Sequence, residues 1–178
     1  MTDRVTIIAV GVEEYTHLRP LRGPSQDVRN LYDLLVENGN TALYGPGQFN
    51  SILNPTSNRL REVISQYTNE RTALGDILIF YFSGHGAPVG HQDFGFCTID
   101  TQFHFEQPAV LPLTTFRFSE LLLALSLVDV APIIIIDACY SGRVINSIVP
   151  SSDAVNLMHE KVQQSNASNY ALLCSCSE

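Results

Sequence analysis

The sequence is short of basic residues. Its 178 residues carry 10 Lys and Arg against 18 Asp and Glu, so the formal net charge at neutral pH is −8. Nucleic acids are bound largely through their phosphates, which require a surface rich in Lys and Arg. The charge balance therefore argues against a nucleic-acid partner and is compatible with a basic ligand.

Long apolar runs are absent as well. The longest, ILIFYF at 77–82 and VAPIIII at 130–136, are far shorter than the run of about 20 residues that a helix needs to cross a bilayer. The amino-terminal stretch MTDRVTIIAVGV has one Arg before its apolar part and no small-residue cleavage site after it. It is typical of a first strand rather than a signal peptide. We expect a cytoplasmic protein that does not associate with membranes.

Two classes of binding motif are also missing. The four cysteines, at 97, 139, 174 and 176, have neither the density of a disulfide framework nor the paired C-x-x-C spacing of a zinc site. No G-x-G-x-x-G follows the first predicted strand, which argues against a nucleotide-binding domain. We therefore predict neither a structural metal nor a bound nucleotide.

Patterns typical of strands and helices alternate along the chain. Apolar, β-branched runs predict strands at 5–10, 49–53, 77–82, 133–136 and 170–174, with a small hairpin near 94–99. Apolar residues at helical spacing predict helices near 25–39, 60–67 and 120–128, and more weakly at 155–162. Strands that are apolar on both faces and alternate with helices predict an α/β fold, with a mostly parallel sheet covered on both sides.

Two of these predicted strands are each followed by a reactive residue that lies among small residues. IFYFSGHG at 79–86 contains His85, and IIIIDACYSG at 133–142 contains Cys139. In an open parallel sheet, ligands bind beyond the carboxyl ends of the strands. A thiol becomes a strong nucleophile when a neighbouring His lowers its pKa. Either residue alone is more often structural, but the pair predicts a catalytic dyad of His85 and Cys139.

These segments resemble the caspase and metacaspase clan of cysteine peptidases. The stretches D-A-C-Y-S-G at 137–142, S-G-H-G at 83–86 and L-R-G-P-S-Q-D at 21–27 are similar to those of metacaspases and bacterial caspase-like peptidases. The resemblance implies a caspase-like three-layer sandwich. It also implies that residues 1–178 form a single catalytic domain, equivalent to a large subunit. The final strand and helix of a small subunit would be missing from it.

The resemblance further implies hydrolysis of peptide bonds through an acyl-enzyme. Cys139 would attack the scissile carbonyl, His85 would transfer the proton, and the backbone N–H groups of Gly86 and Cys139 would form the oxyanion hole. The partners would be protein or peptide substrates, the missing small subunit, and regulatory domains or proteins. We expect a regulated enzyme of a stress, defence or cell-death-type pathway.

Three further residues bear on which substrate residue precedes the cut. Metacaspases cut after Arg or Lys, and their pocket residues match Asp27, Ser83 and Asp137. Paired carboxylates can bind a guanidinium through charge-assisted hydrogen bonds, so we predict basic specificity. Arg22 leaves open an Asp-specific caspase-type peptidase. A caspase-like scaffold or sensor domain that acts mainly by binding partners is a further alternative.

The resemblance also bears on calcium dependence. Many metacaspases require calcium, but only Asp100 lies at a plausible position for a calcium ligand in this sequence, so we predict no cofactor.

The resemblance also bears on self-cleavage, since caspase-like enzymes often cut the loop that follows the nucleophile. Residues 146–169 are polar and rich in Ser and Asn, and we expect them to form a mobile inter-subunit loop. Within it, Lys161 is the predicted self-cleavage site, since Arg143 lies too near Cys139 to bend back.

Overall fold

A computed structural model describes residues 5–37, 49–69, 77–90, 93–104, 110–128, 131–140, 151–164 and 171–175. The elements in chain order are β1 (Val5–Gly11), α1 (Pro24–Tyr32), β2 (Phe49–Leu53), α2 (Ser57–Asn69), β3 (Ile77–Val89), β4 (Asp93–Phe96), β5 (Phe116–Arg117), α3 (Phe118–Leu125), β6 (Ala131–Tyr140), α4 (Ser151–Gln164) and β7 (Ala171–Ser175). A π-helical segment, Asp33–Glu37, continues α1, and a short 3-10 turn covers Pro112–Thr114. None of the described helices is both long enough and apolar enough to span a membrane.

The central sheet is mostly parallel. Its parallel strands lie in the order β2-β1-β3-β6-β7. The middle strand, β3, is 13 residues long and contacts β1 on one side and β6 on the other. Its last residues pair antiparallel with β4, which in turn pairs antiparallel with β5. This arrangement confirms the predicted mostly parallel sheet. The hairpin predicted near 94–99 is wrong in its bounds, because Asp93–Phe96 pairs with Gly86–Val89 instead.

Helices cover both faces of the sheet, as predicted. On one face, α2, α3 and α4 bury apolar side chains such as Leu60, Leu121 and Met158 in the cluster that contains Phe80. On the other face, α1 packs against the cluster that contains Tyr81. Successive side chains of a strand point to opposite faces, which is why neighbouring residues of β3 belong to different clusters. The result is the three-layer arrangement that the resemblance implies.

The two reactive segments are strands and not turns. We predicted that the strands would end at 82 and 136, but β3 continues to Val89 and β6 continues to Tyr140. Their pairing extends without interruption from Ile77 beside Ala131 to Gly86 beside Tyr140. Each strand satisfies the backbone groups of the other, so small residues do not end either one.

The structure also corrects the expected mobile loop at 146–169. Residues 151–164 form α4, and its Met158 and Val162 side chains are buried in the core, at 1% and 4% exposure. A spacing of four residues places both on one face of the helix. Packing of such an apolar face stabilises a helix even where many of its residues are polar. The remainder of the predicted loop, at 146–150 and 165–169, lies outside the described residues.

Candidate active site

Strands β3 and β6 bring the two predicted dyad residues side by side. In their parallel register, His85 is the partner of Cys139, and Ser83 is the partner of Asp137. Paired strands lie about 4.8 Å apart, so the backbones of His85 and Cys139 are adjacent. Both lie at the carboxyl-end edge of the sheet. The side chain of Cys139 is outside the described part of the structure.

The imidazole of His85 is buried, at 6% exposure, and its Nε2 lies 2.8 Å from the carbonyl oxygen of Arg19. A carbonyl oxygen can only accept a hydrogen bond, so Nε2 carries a hydrogen and donates it. In the neutral ring, the lone pair is then on Nδ1. This assignment of the tautomer gives His85 a proton acceptor at Nδ1.

The three predicted specificity residues also lie together. The Ser83 hydroxyl is buried and donates a hydrogen bond to Oδ2 of Asp27, at 2.9 Å. Asp27 stands in the first turn of α1, and Asp137 pairs with Ser83 in the sheet. The phenol of Tyr81 is hydrogen-bonded to Ser83 as well. We call Asp27, Tyr81, Ser83 and Asp137 the acidic cluster.

The electrostatics of the acidic cluster are visible at Tyr81. The pKa of its phenol is raised to about 12, mainly by burial and then by the negative charges of the nearby Asp27 and Asp137. A carboxylate opposes the ionisation of a neighbouring acid because the two negative charges repel each other. The same negative potential stabilises a cationic group.

Another cysteine lies near His85 but lacks the properties of a nucleophile. The backbone N–H of Cys97 donates to the carbonyl of His85, at 2.9 Å, and its side chain is fully buried. This burial raises the pKa of the Cys97 thiol to about 12. A thiol that stays protonated is a poor nucleophile, so Cys97 is a poor candidate for the predicted catalytic role.

Gly86 is required for packing. A Cβ atom at this position would lie 2.2 Å from Cζ of Phe94 and 3.3 Å from the Cβ of Ala138. The first distance is a severe overlap with a buried ring. The backbone of Gly86 pairs with that of Tyr140, and the neighbouring pair in the register is His85 with Cys139. The backbones of the two predicted oxyanion donors, at Gly86 and Cys139, are therefore close neighbours.

Asp100, the candidate calcium ligand, caps a helix. Its Oδ1 accepts hydrogen bonds from the Ser57 N–H and the Thr98 hydroxyl, at 2.8 and 2.7 Å, and its Oδ2 accepts one from the Ser57 hydroxyl, at 2.9 Å. Burial would raise the pKa of Asp100, but these hydrogen bonds outweigh it and hold the pKa below its usual value. Across the described ranges, no group of three or more His, Cys, Asp or Glu side chains could hold a metal ion. Both oxygens of the Asp100 carboxylate therefore accept hydrogen bonds from the start of α2.

The structure also describes Lys161 and Arg22, the two remaining candidates. Lys161 lies within α4, and Val162 on the other side of the predicted cut is buried, at 4% exposure. The cut is therefore not in an exposed loop and would require α4 to unwind. Arg22 is exposed and forms no ion pair with any described residue.

Three residues at the site were not anticipated from the sequence. Tyr81 could have been found, because positions two and four residues before His85 in a strand share its face. Tyr15 contacts His85 through its hydroxyl and its ring. Arg19 contacts His85 through its backbone carbonyl, for which no side-chain pattern gives a signal.

A model of the caspase-domain family matches residues 4–178. The chain belongs to the caspase-domain family. That family is one of cysteine peptidases, which act on protein substrates.

Solved structures with the same fold are distant in sequence from this caspase domain. A Geobacter sulfurreducens protein is 18% identical over 98% of this chain and 73% of its own, with a TM-score of 0.61. Pro-sf-caspase-1 is 16% identical over 78% of this chain and 52% of its own, with a TM-score of 0.53. The aligned part is thus about half of that procaspase. No curated protein matches the chain significantly.

Proposed function

We propose that this caspase domain is a cysteine endopeptidase that acts through Cys139 and His85 and cuts after Arg or Lys. The observation that carries the proposal is the register of β3 and β6, in which His85 pairs with Cys139 and Ser83 pairs with Asp137. The same two strands thus carry the reactive pair and part of the acidic cluster. Two residues of a strand span about 6.6 Å, a distance suited to a substrate side chain beside its own scissile bond.

In the acylation step, the Cys139 thiol gives its proton to Nδ1 of His85, and the sulfur attacks the scissile carbonyl carbon. The oxyanion that forms accepts hydrogen bonds from the backbone N–H groups of Gly86 and Cys139. The C–N bond then breaks, and the imidazolium protonates the leaving amine. Throughout, the Arg19 carbonyl accepts the hydrogen of Nε2 and favours the cationic ring.

In the deacylation step, His85 takes a proton from water, and the resulting hydroxide attacks the thioester carbon. The C–S bond breaks, the carboxylic acid product leaves, and the thiol recovers its proton from the imidazolium. Both steps need one imidazole held in one orientation. The hydrogen bond between Nε2 and Arg19 supports such a fixed orientation.

Basic specificity is supported by the charges of the acidic cluster. Ser83 donates its hydroxyl hydrogen to Oδ2 of Asp27. The other carboxylate oxygen of Asp27 and the carboxylate of Asp137 can accept hydrogen bonds from a guanidinium or ammonium group. An Asp side chain from a substrate would meet like charge there instead.

A panel of fluorogenic peptides that differ only in the residue before the cut tests the proposal on the full-length protein. We expect Arg and Lys peptides to be cut and an Asp peptide to be spared. Cys139→Ala and His85→Ala should abolish cleavage, while Cys174→Ala, on β7, serves as the matched control. Cleavage of the Asp peptide with loss in Arg22→Ala would favour the Asp-specific alternative. No cleavage of any peptide would favour a scaffold or sensor domain.

A further inference from the structure

We infer that Tyr15 is a positioning residue that sets the orientation of His85, acting from the loop between β1 and α1. We call residues 12–22 the β1–α1 loop. The inference rests on the proposed role of His85. It is carried by the contacts through which this loop holds both the backbone and the ring of His85.

The Tyr15 hydroxyl makes two hydrogen bonds to the backbone. It accepts one from the N–H of His85, at 2.9 Å, and donates one to the carbonyl of Val12, at 2.8 Å. The Tyr15 ring also lies against the imidazole, with centroids 4.9 Å apart and planes inclined at 43°. From the same loop, the Arg19 carbonyl contacts Nε2. The loop therefore restrains His85 at its backbone, at one side of its ring and at one ring nitrogen.

Gly84 provides the space for this contact. A Cβ atom at position 84 would lie 3.0 Å from the Tyr15 hydroxyl and 3.0 Å from Cζ of Phe82. Both distances are tighter than ordinary van der Waals contact. The first glycine of S-G-H-G thus allows a side chain from another part of the chain to reach the His85 N–H.

The β1–α1 loop is itself tied to the sheet and its surroundings. The Val12 N–H donates to the Ser83 carbonyl and the Thr16 N–H donates to the Ile99 carbonyl, both at 2.9 Å. The side-chain carbonyl of Asn54 accepts hydrogen bonds from the N–H groups of Glu13 and Glu14, at 2.9 and 3.1 Å. These contacts hold the stretch of the loop that carries Tyr15.

Asn54 adopts a backbone conformation that suits its contact with the β1–α1 loop. Its φ of 48° is in the left-handed region, which Asn tolerates better than most residues. Its own N–H donates to the carbonyl of Gly11, at 2.8 Å. Asn54 therefore connects the end of β2 to the start of the β1–α1 loop. We expect removal of its side chain to displace Tyr15 and so to disturb the orientation of His85.

Two variants test the inference, with matched controls. Tyr15→Phe keeps the ring and removes both hydrogen bonds, and Tyr32→Phe on α1 is its control. Asn54→Gly tolerates the positive φ but removes the side-chain oxygen that accepts from the loop. Asn54→Asp, which retains a side-chain oxygen, is its control.

For each variant, kcat and KM are measured on the peptide that the wild type cuts best. The alkylation of Cys139 by iodoacetamide is followed against pH by intact mass, and the melting temperature is recorded.

For Tyr15→Phe we expect kcat to fall by about tenfold with KM changed less than about twofold, because a misplaced reacting group slows chemistry more than binding. We expect the alkylation midpoint of Cys139 to rise toward that of an unassisted thiol, about 8.5. Asn54→Gly should shift both readouts in the same direction by a smaller amount. Asn54→Asp and Tyr32→Phe should resemble the wild type.

The outcomes separate this inference from the proposed function. If wild-type Cys139 is alkylated no faster at neutral pH than an ordinary thiol, the dyad and the inference both fail. If wild-type Cys139 is activated but Tyr15→Phe keeps its kcat and its pH profile, the inference alone is overturned, whatever happens to the melting temperature. Should Tyr15→Phe fail to fold, Gly84→Ala displaces the hydroxyl instead, and an unchanged pH profile there overturns the inference.

Discussion

At the scale of single residues, the alternation of side chains along β3 determines which groups can act together. Tyr81, Ser83 and His85 occupy every second position and so belong to one face of the strand. Helix α1 covers that face and brings Asp27 to the Ser83 hydroxyl. In the proposed function, specificity and catalysis would both depend on this short stretch of strand and the residues facing it.

The first prediction concerns the carboxylates of the acidic cluster. Asp137→Asn and Asp27→Asn should each lower kcat/KM for the Arg peptide by roughly ten- to a hundredfold. A hydrogen bond to a charged group contributes about 1.5–3 kcal/mol. Asp33→Asn, in the exposed turn after α1, is the control. Equal losses in all three variants would contradict a pocket formed by Asp27 and Asp137.

At the scale of elements, the two central strands continue past their reactive residues, and the packing around them is tight. Gly86 lies where β3 contacts both β4 and β6. Phe94 of β4 occupies the space that a side chain at position 86 would need. The second glycine of S-G-H-G therefore has a packing role in addition to any role in catalysis.

The second prediction follows from this packing. Gly86→Ala should lower the free energy of unfolding by about 1–3 kcal/mol, as overpacked cores do. Chemical denaturation measures the loss. Adding Phe94→Leu should recover part of it, because the smaller side chain leaves room for the new methyl group. A double variant that loses the sum of both single effects would show that the Phe94 ring is not the cause.

The third prediction concerns α4 and self-processing. A cut after Lys161 should be slow in the native chain, since it requires α4 to unwind and Val162 to leave the core. Met158→Ala removes a buried side chain and should weaken the packing of α4 by about 2–5 kcal/mol. We expect it to accelerate the appearance of a fragment that begins at Val162.

Intact-mass analysis over time measures that fragment. Lys161→Gln and Cys139→Ala should both prevent its formation, in the wild-type and in the Met158→Ala background. A fragment that forms equally fast with and without Cys139 would mean that another peptidase makes the cut. A cut that Met158→Ala does not accelerate would contradict the requirement for unwinding.

At the scale of the whole molecule, charged residues connect the helices on one face of the sheet. Glu120 of α3 receives hydrogen bonds from Arg61 of α2, at 3.2 Å, and from Arg117, at 3.0 Å. Burial would raise the pKa of Glu120, but the hydrogen bonds from Arg117 and Arg61 outweigh it and hold the pKa below its usual value near 4.5. The contact between α2 and α3 is thus coupled to pH.

The fourth prediction is the sign of that coupling. A carboxyl whose pKa is lower in the folded state stabilises the fold above its unfolded pKa, and this contribution is lost as pH falls through the folded value. The free energy of unfolding should therefore decline below about pH 4.5, and less steeply in Glu120→Gln. Glu62→Gln, in an exposed pair with Arg59, is the control and should leave the slope unchanged.

The fifth prediction is that peptide cleavage does not require calcium. The Asp100 carboxylate is committed to the start of α2. Removal of calcium with a chelator, followed by its readdition, should leave kcat/KM unchanged. Asp100→Asn should lower the melting temperature rather than alter any calcium response. An activity that depends on calcium and loses this dependence in Asp100→Asn would overturn the prediction.

Much of this protein could be predicted from the sequence, because the decisive signals are local. The period of apolar residues predicts the five parallel strands and the helices between them. The small residues around His85 and Cys139 mark the edge of the sheet where chemistry is expected. Since parallel strands end at one edge, the approach of His85 to Cys139, and of Ser83 to Asp137, followed from the fold class.

Other features depend on contacts between distant parts of the chain and have no local signal. The Tyr15 hydroxyl and the Arg19 carbonyl contact His85 across 70 and 66 residues of sequence. Asp100 resembles a metal ligand in sequence, but the fold brings it to the start of α2, 43 residues away. Polar composition at 146–169 predicts a loop, yet burial of Met158 and Val162 stabilises α4. The sequence by itself determined the presence and order of the parallel strands and the reactive side chains, because apolar periodicity and small flanking residues are short-range signals. Only the tertiary structure decided how His85 is oriented, because backbone carbonyls and long-range hydrogen bonds depend on the completed packing.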